Sequence, residues 1–317
     1  MIDNYGRVID YMRISVTELC NLRCRYCMPE DGIVKRAHDE MMTAEETIDA
    51  VKAAVSLGIK KIRITGGEPL VKRGIVKLCS AISAIEGVEE LCITTNGTLL
   101  PKFGKELREA GVSRVNISLD TLDPDKYREI TRVGELSEAL AGIDAAFEAG
   151  FDNIKINNVL MGGFNDDEIE AFAKLTVDRP IEVRFIELMP IGGGMDFDRS
   201  GFISCQQVLS KVPELEPLER SEGVAVLYRL PGAKGRVGLI RPISCEFCGD
   251  CNKIRLTSDG MLKPCLHSDA ELCIKGLQLD EMKEVMRNAV LQKPEMRDTL
   301  DADNPSHAGR NMNSIGG

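Results

Sequence analysis

The sequence predicts an α/β fold, an incomplete barrel of about six βα units, on three observations. Short apolar strands alternate with helical segments, the signature of βαβ units, a parallel sheet and right-handed crossovers. The repeats number about six, short of the eight that close a full barrel. The strand ends are polar and chemically varied, and in such sheets ligands bind beyond the carboxyl ends of the strands.

The first strand is read in the alternating run 12–16, which leads straight into a cysteine-rich stretch. Thr43 with Glu46 three residues later forms a capping box, and the following segment is apolar at helical spacing until Gly58 stops it. "KKIRIT" (60–65) reads as a buried strand that ends on the turn "GGEP". Further strands are expected over 90–94, 114–119, 153–160 and 181–186, with helices over 101–110, 123–131, 136–149 and 166–175. After Met189 the rhythm breaks. "PIGGGMDFDRSG" reads as loop, 204–212 as a helix, "VAVLYRL" with "RVGLI" as a hairpin, and 279–290 as a helix. The polar, Gly-rich end "NPSHAGRNMNSIGG" is expected to be mobile. Two regions follow: a partial barrel over 1–220 and a carboxyl-terminal region over 221–317.

With 317 residues, 43% of them hydrophobic, the chain can bury a large core. No stretch approaches the roughly 20 apolar residues of a membrane span, and the start has no signal pattern, so a cytoplasmic protein with no membrane partner is expected. A net charge of −10 argues against a broad hold on nucleic acid, while leaving room for a local cationic site for an anionic substrate. Eleven cysteines in clustered spacings point in such a chain to metal or redox chemistry rather than disulfides.

The first cluster lies in "TELCNLRCRYCMPE": Cys20, Cys24 and Cys27, spaced C-x3-C-x2-C. A cubane iron–sulfur cluster held by only three thiolates leaves one iron open to another ligand. The alternatives are a zinc site borrowing a distant fourth ligand, or buried cysteines acting as small hydrophobes. The second cluster lies in "CEFCGDCNKIRLTSDGMLKPCLH" and offers Cys248, Cys251 and Cys265, with Cys245 and Cys273 near enough in sequence for a zinc ribbon. Lys253 and Arg255 beside it are cations that a structural zinc would not need. Cys79, Cys92, Cys205 and Cys273 read as core or incidental, and Cys245 as a non-ligand.

The first motif, with Tyr26 before its last cysteine and "GGEP" downstream, resembles the radical S-adenosylmethionine superfamily. The order of "MRISVTELCNLRCRYCMP", "IRITGGEPL", "TTNG", "NISLD", "KINNVLMGGFND", "RFIELMPIG", "FCGDCNKIRLTSDG" and a terminal "GG" is similar to the GTP 3′,8-cyclase family, over roughly residues 7–317. The resemblance implies an incomplete (β/α)6 barrel, closed at one end by a carboxyl-terminal segment that carries a second cluster. It implies two [4Fe-4S] clusters, S-adenosyl-L-methionine as cofactor and GTP as substrate. It also implies a reductant protein and a downstream cyclic pyranopterin monophosphate synthase as partners; a homodimer is compatible with it.

Residue by residue, the resemblance gives one cluster to Cys20, Cys24 and Cys27 and the auxiliary cluster to Cys248, Cys251 and Cys265. Tyr26, Gly67, Ser118 and Met189 align with cofactor-binding positions. Arg13, Arg63, Thr94, Lys155, Lys253, Ile254 and Arg255 align with GTP-binding positions, and Arg13, Lys253 or Arg255 would assist electron and proton delivery late in the reaction. Gly316 and Gly317 match a tail that enters the active site. At position 253 the family commonly has Arg, so Lys253 keeps the charge and loses the planar fork. A radical peptide maturase, or a zinc-stabilised binding module without catalysis, are the competing readings.

Overall fold

Side chains alternate across a strand, and that period of two sorts β1 (Tyr11–Ser15) into unlike faces. Met12 and Ile14 enter the apolar core, while Tyr11, Arg13 and Ser15 turn the other way. β2 (Lys61–Thr65) repeats the pattern with Ile62 and Ile64 against Lys61, Arg63 and Thr65. A parallel sheet is usually apolar on both faces. Here one face is apolar and packs against helices, and the other is largely buried yet polar.

The computed structural model describes every residue except 34–35, 192–200, 220–222, 246, 299, 301–305, 307 and 317. The parallel series continues with β3 (Glu90–Thr95), β4 (Arg114–Ser118), β5 (Ile154–Leu160) and β6 (Ile181–Glu187), hydrogen-bonded in sequence order. Crossover helices are α1 (Ala44–Ser56), α2 (Ile75–Ser83), α3 (Leu100–Glu109), α4 (Pro124–Thr131), α5 (Leu136–Glu148) and α6 (Ile169–Asp178). The expected capping box forms: Glu46 N donates to Thr43 Oγ1 and Thr43 N to the Glu46 carboxylate. Asp123 caps α4, and residues 166–168 make a 3-10 turn ahead of α6 instead of its first turn. The sequence reading did not pick out α2, which opens after Gly74 in the left-handed region (φ +79°) with no side-chain cap.

Beyond Met189 come α7 (Gln206–Lys211), β7 (Glu216–Pro217), β8 (Val226–Arg229) and β9 (Arg236–Ile240). β8 and β9 form the expected hairpin, and β9 pairs parallel with β6. β10 (Lys253–Leu256), β11 (Met261–Lys263) and β12 (Leu272–Cys273) form an antiparallel meander, a strand assignment the cysteine-rich sequence hid. β10 pairs parallel with β1. The sheet order is therefore β12-β11-β10-β1-β2-β3-β4-β5-β6-β9-β8-β7. This corrects the expected closure: among the described residues the carboxyl-terminal strands lengthen both edges of the sheet and do not join them. α8 (Leu279–Leu291) packs on α1, and α9 (Met312–Ile315) is the last element. No helix is long and apolar enough to cross a membrane.

Candidate active site

The polar face is organised by strand register. Arg13 on β1 stands opposite Arg255 of β10 on one side and Arg63 of β2 on the other. One row earlier, Tyr11 stands between Lys253 and Lys61, whose ammonium groups lie 5.7 and 5.9 Å from its ring centre. The Arg63 guanidinium, 5.8 Å from that ring, also donates to the Tyr11 hydroxyl, and its Nη1 donates to Thr94 Oγ1 at 3.1 Å. Like charges directly opposite on neighbouring strands repel. Burial, then Arg255 and Arg63, pushes the Arg13 guanidinium down to about 9, which leaves it charged at neutral pH. Burial, then Arg13, Arg255 and Lys293, pushes Lys253 down to about 8. Such a row of cations is suited to an anionic ligand.

Other predicted residues divide. Lys155, expected at a strand's carboxyl end, is the second residue of β5 and fully buried, and its Nζ donates to both Glu182 oxygens at 3.1 Å. Glu182 also takes Arg184 and Arg236, so one carboxylate faces three cations. A solvated surface charge is thereby excluded for Lys155. Ile254 lies in the hydrophobic core, on the opposite face from Lys253 and Arg255, which leaves only its backbone on the polar side. Ser118 ends β4 and Met189 follows β6, both half-buried at the carboxyl ends.

The first cysteine group also lies beyond those ends. Its loop is folded by bonds from Cys27 N and Met28 N to Cys24 O at 2.9 and 3.1 Å. Leu22 N donates to Cys20 Sγ at 3.3 Å, and an Asn313 backbone N–H points at Cys27. Burial pushes the Cys20 thiol up to about 11 and Cys27 to about 12. Three half-buried free thiols, two of them with N–H donors at the sulfur, are a soft donor set suited to an iron–sulfur cluster. Among the described residues no three His, Cys, Asp or Glu side chains converge closely enough to hold a single metal ion. The Tyr26 hydroxyl donates to Asp120 Oδ2 at 2.7 Å, a partner the sequence did not signal.

Gly67 stands where backbone comes close, as its sequence reading requires. A Cβ there would meet Leu19 O at 2.4 Å and Glu18 O at 2.6 Å, so the glycine admits the backbone of the cysteine loop itself. Glu68, buried beside it, accepts from Leu70 N, Thr95 Oγ1 and Asn96 N, and burial raises it to about 7.

Because β10 runs parallel to β1, Cys251 lies just before the strand's amino end, with Tyr11 N donating to Asn252 O at 3.2 Å. β11 returns antiparallel and brings Cys265 back to the same end. The two cysteine trios thus flank opposite ends of one strand pair, with the arginine row between them. Cys248, Cys251 and Cys265 are half-buried and Cys245 and Cys273 exposed, while Cys79, Cys92 and Cys205 are buried. A cavity of about 510 Å³ opens at the amino-terminal ends, lined by Lys61, Glu90 and Arg114 among others.

The tail departs from the mobile end expected. Asn313, Ser314 and Ile315 are buried, Arg310 ties the segment to Asp259 and Glu271, and Arg255 Nη1 donates to Gly316 O at 2.5 Å. Gly317 lies outside the described residues.

Residues 14–176 match the family model described as the radical SAM superfamily, and residues 181–300 match Molybdenum Cofactor Synthesis C. The chain is 54% identical to the GTP 3′,8-cyclase of Alkaliphilus oremlandii, over 100% of both chains. It is 47% identical to that of Geobacter sulfurreducens, over 100% of this chain and 99% of the other. In fold it is similar to Streptococcus suis SuiB bound to S-adenosylmethionine, with a TM-score of 0.62 at 18% identity, over 86% of this chain and 65% of that longer one. By full-length identity and by both family models, the chain belongs to the GTP 3′,8-cyclase family of the radical S-adenosylmethionine superfamily.

Proposed function

We propose that the protein cyclises GTP to (8S)-3′,8-cyclo-7,8-dihydroguanosine 5′-triphosphate, the first step of molybdenum cofactor biosynthesis. The observation that carries this reading is the row of buried Arg255, half-buried Arg13 and buried Arg63 between two cysteine trios, on the face where a parallel sheet would otherwise be apolar. A triphosphate carries about four negative charges near neutral pH, and Arg forks with Lys point charges are its usual partners.

Cys20, Cys24 and Cys27 would hold one [4Fe-4S] cluster and Cys248, Cys251 and Cys265 another. When bound and reduced, the first supplies the electron that cleaves S-adenosyl-L-methionine to the 5′-deoxyadenosyl radical, which removes the 3′ hydrogen of GTP. Tyr26, Gly67, Ser118 and Met189 hold the cofactor at the carboxyl ends of the strands. Arg63, Thr94 and Lys155 orient the triphosphate and ribose. Arg13, Lys253 and Arg255 neutralise negative charge near the second trio, and one of them donates a proton as the cyclised nucleotide is reduced. Gly316 closes the site from the tail. On this reading 1–220 serves cofactor cleavage and supplies part of the nucleotide site, and 221–317 supplies the second cysteine trio with Lys253 and Arg255, while the sheet is continuous through both.

A cytoplasmic location, a reductant protein, a downstream cyclic pyranopterin monophosphate synthase and a homodimer complete the proposal. A peptide maturase is not favoured, because the likeness to SuiB, which was also solved bound to precursor peptide SuiA, is one of fold at 18% and 16% identity. Incubating anaerobically purified protein with reductant, S-adenosylmethionine and each nucleoside triphosphate in turn should give a cyclised product from GTP alone. Turnover of a peptide, or of no nucleotide, refutes the reading.

A further inference from the structure

Lys293 follows α8 and is 3% exposed. Its ammonium donates to Lys253 O at 3.0 Å and to Pro264 O at 2.9 Å, and its charge acts on the nearby Cys251 sulfur. Two of the three donors of the ammonium are taken by these carbonyls, which leaves one for the sulfur side. The acceptors come from both segments of the second trio: Lys253, close to Cys251, on one, Pro264, adjacent to Cys265, on the other.

A buried charge is costly unless it is paired. The other two fully or nearly fully buried lysines among the described residues each have a carboxylate: Lys155 has Glu182 and Lys263 has Glu271. The partners of Lys293 are two carbonyls, with the Cys251 thiol nearby. Its counter-charge therefore has to come from the sulfur side.

We propose that Lys293 is a positioning residue for the group held by Cys248, Cys251 and Cys265, clamping the two ligand-bearing segments together and giving Cys251 a charge-assisted N–H···S bond. Hydrogen bonds to cluster sulfurs and nearby positive charge raise reduction potential, and such outer partners also slow loss of the metal. The inference rests on the reading that this trio holds an iron–sulfur cluster.

The test isolates the second cluster in a chain whose Cys20, Cys24 and Cys27 are changed to Ala, and follows its reduction by EPR-monitored redox titration. Lys293→Met should shift the midpoint to more negative potential and speed iron loss to a chelator by about 10- to 100-fold. Lys293→Arg should restore much of both. If the parent chain itself carries no iron, the cluster reading fails independently of the lysine. A Met variant that matches its parent in potential and in chelation rate overturns the proposal. Should the Met variant not fold, the parent chain labelled with 15N-lysine decides. A lysine nitrogen coupling to the reduced cluster, persisting with Lys253→Arg, supports the contact, and its absence overturns it.

Discussion

Arg255 donates through Nη1 to the carbonyl of Gly316 at 2.5 Å, so the end of the chain is fastened to the row of guanidiniums. Gly316 adopts φ +76°, and a Cβ there would meet Thr65 Oγ1 at 2.1 Å. Gly316→Ala should therefore dislodge the last residues without loosening Asn313 to Ile315. The expected outcome is suppressed cyclisation, continued 5′-deoxyadenosine formation and a nearly unchanged melting temperature. Normal product yield by chromatography would make the tail a bystander.

Gly67→Ala should act on the cysteine loop. The new methyl group would overlap the carbonyls of Leu19 and Glu18, which are backbone and cannot rotate away. The variant should lose about half of its iron, the share of the first of two cubane clusters, and with it cofactor cleavage. Full iron content with a raised cofactor Kd would leave Gly67 its contact with S-adenosylmethionine and remove it from the packing of the cysteine loop.

Glu182 balances Lys155, Arg184 and Arg236 in the interior. Glu182→Gln keeps the volume and removes the carboxylate charge that Lys155, Arg184 and Arg236 share, which should cost about 3–5 kcal/mol of unfolding free energy. Lys155→Met should cost less, since Glu182 keeps two guanidiniums, yet it should weaken GTP binding. Denaturant unfolding of both variants checks the order, and equal losses would contradict it.

Glu68 makes stability depend on pH. Burial raises its folded value to about 7 from the ordinary 4.5, so the folded state holds a proton that the unfolded state releases. This contribution is fully present below 4.5 and is lost as pH rises through 7. Glu68→Gln should be less stable overall, because its amide faces N–H and O–H donors. Its melting temperature should nevertheless fall less between those pH values than that of the unchanged chain. Parallel curves would remove Glu68 as the titrating group.

Much of this was legible in the sequence because local rules agree with the fold. The capping box at Thr43 and Glu46 formed as written, and the period-two strands put Ile62 and Ile64 inside with Arg63 opposite. Position along a strand was less legible: Lys155 was expected at an end and lies near the start of β5. Relations set by topology were hidden. Nothing local says that β10 lies parallel to β1, yet that pairing aligns Arg255 with Arg13 and sends the second trio to the opposite end of the sheet from the first. The buried tail was hidden for the same reason, since its polar residues meet partners far away, as Asn313 does at Glu18 O. Lys293 gave no signal because its acceptors are backbone carbonyls.

The central claim is that one polar face presents GTP, held by Arg13, Arg63 and Arg255, to a radical formed at the first cysteine trio. Its most direct test is an anaerobic turnover with reductant, S-adenosylmethionine and GTP deuterated at C3′, reading deuterium in 5′-deoxyadenosine alongside cyclised product. The account predicts deuterium transfer in step with product, and neither when Cys20, Cys24 and Cys27 are changed to Ser. Cyclised product without deuterium in 5′-deoxyadenosine, or product from the triple Ser variant, would contradict it.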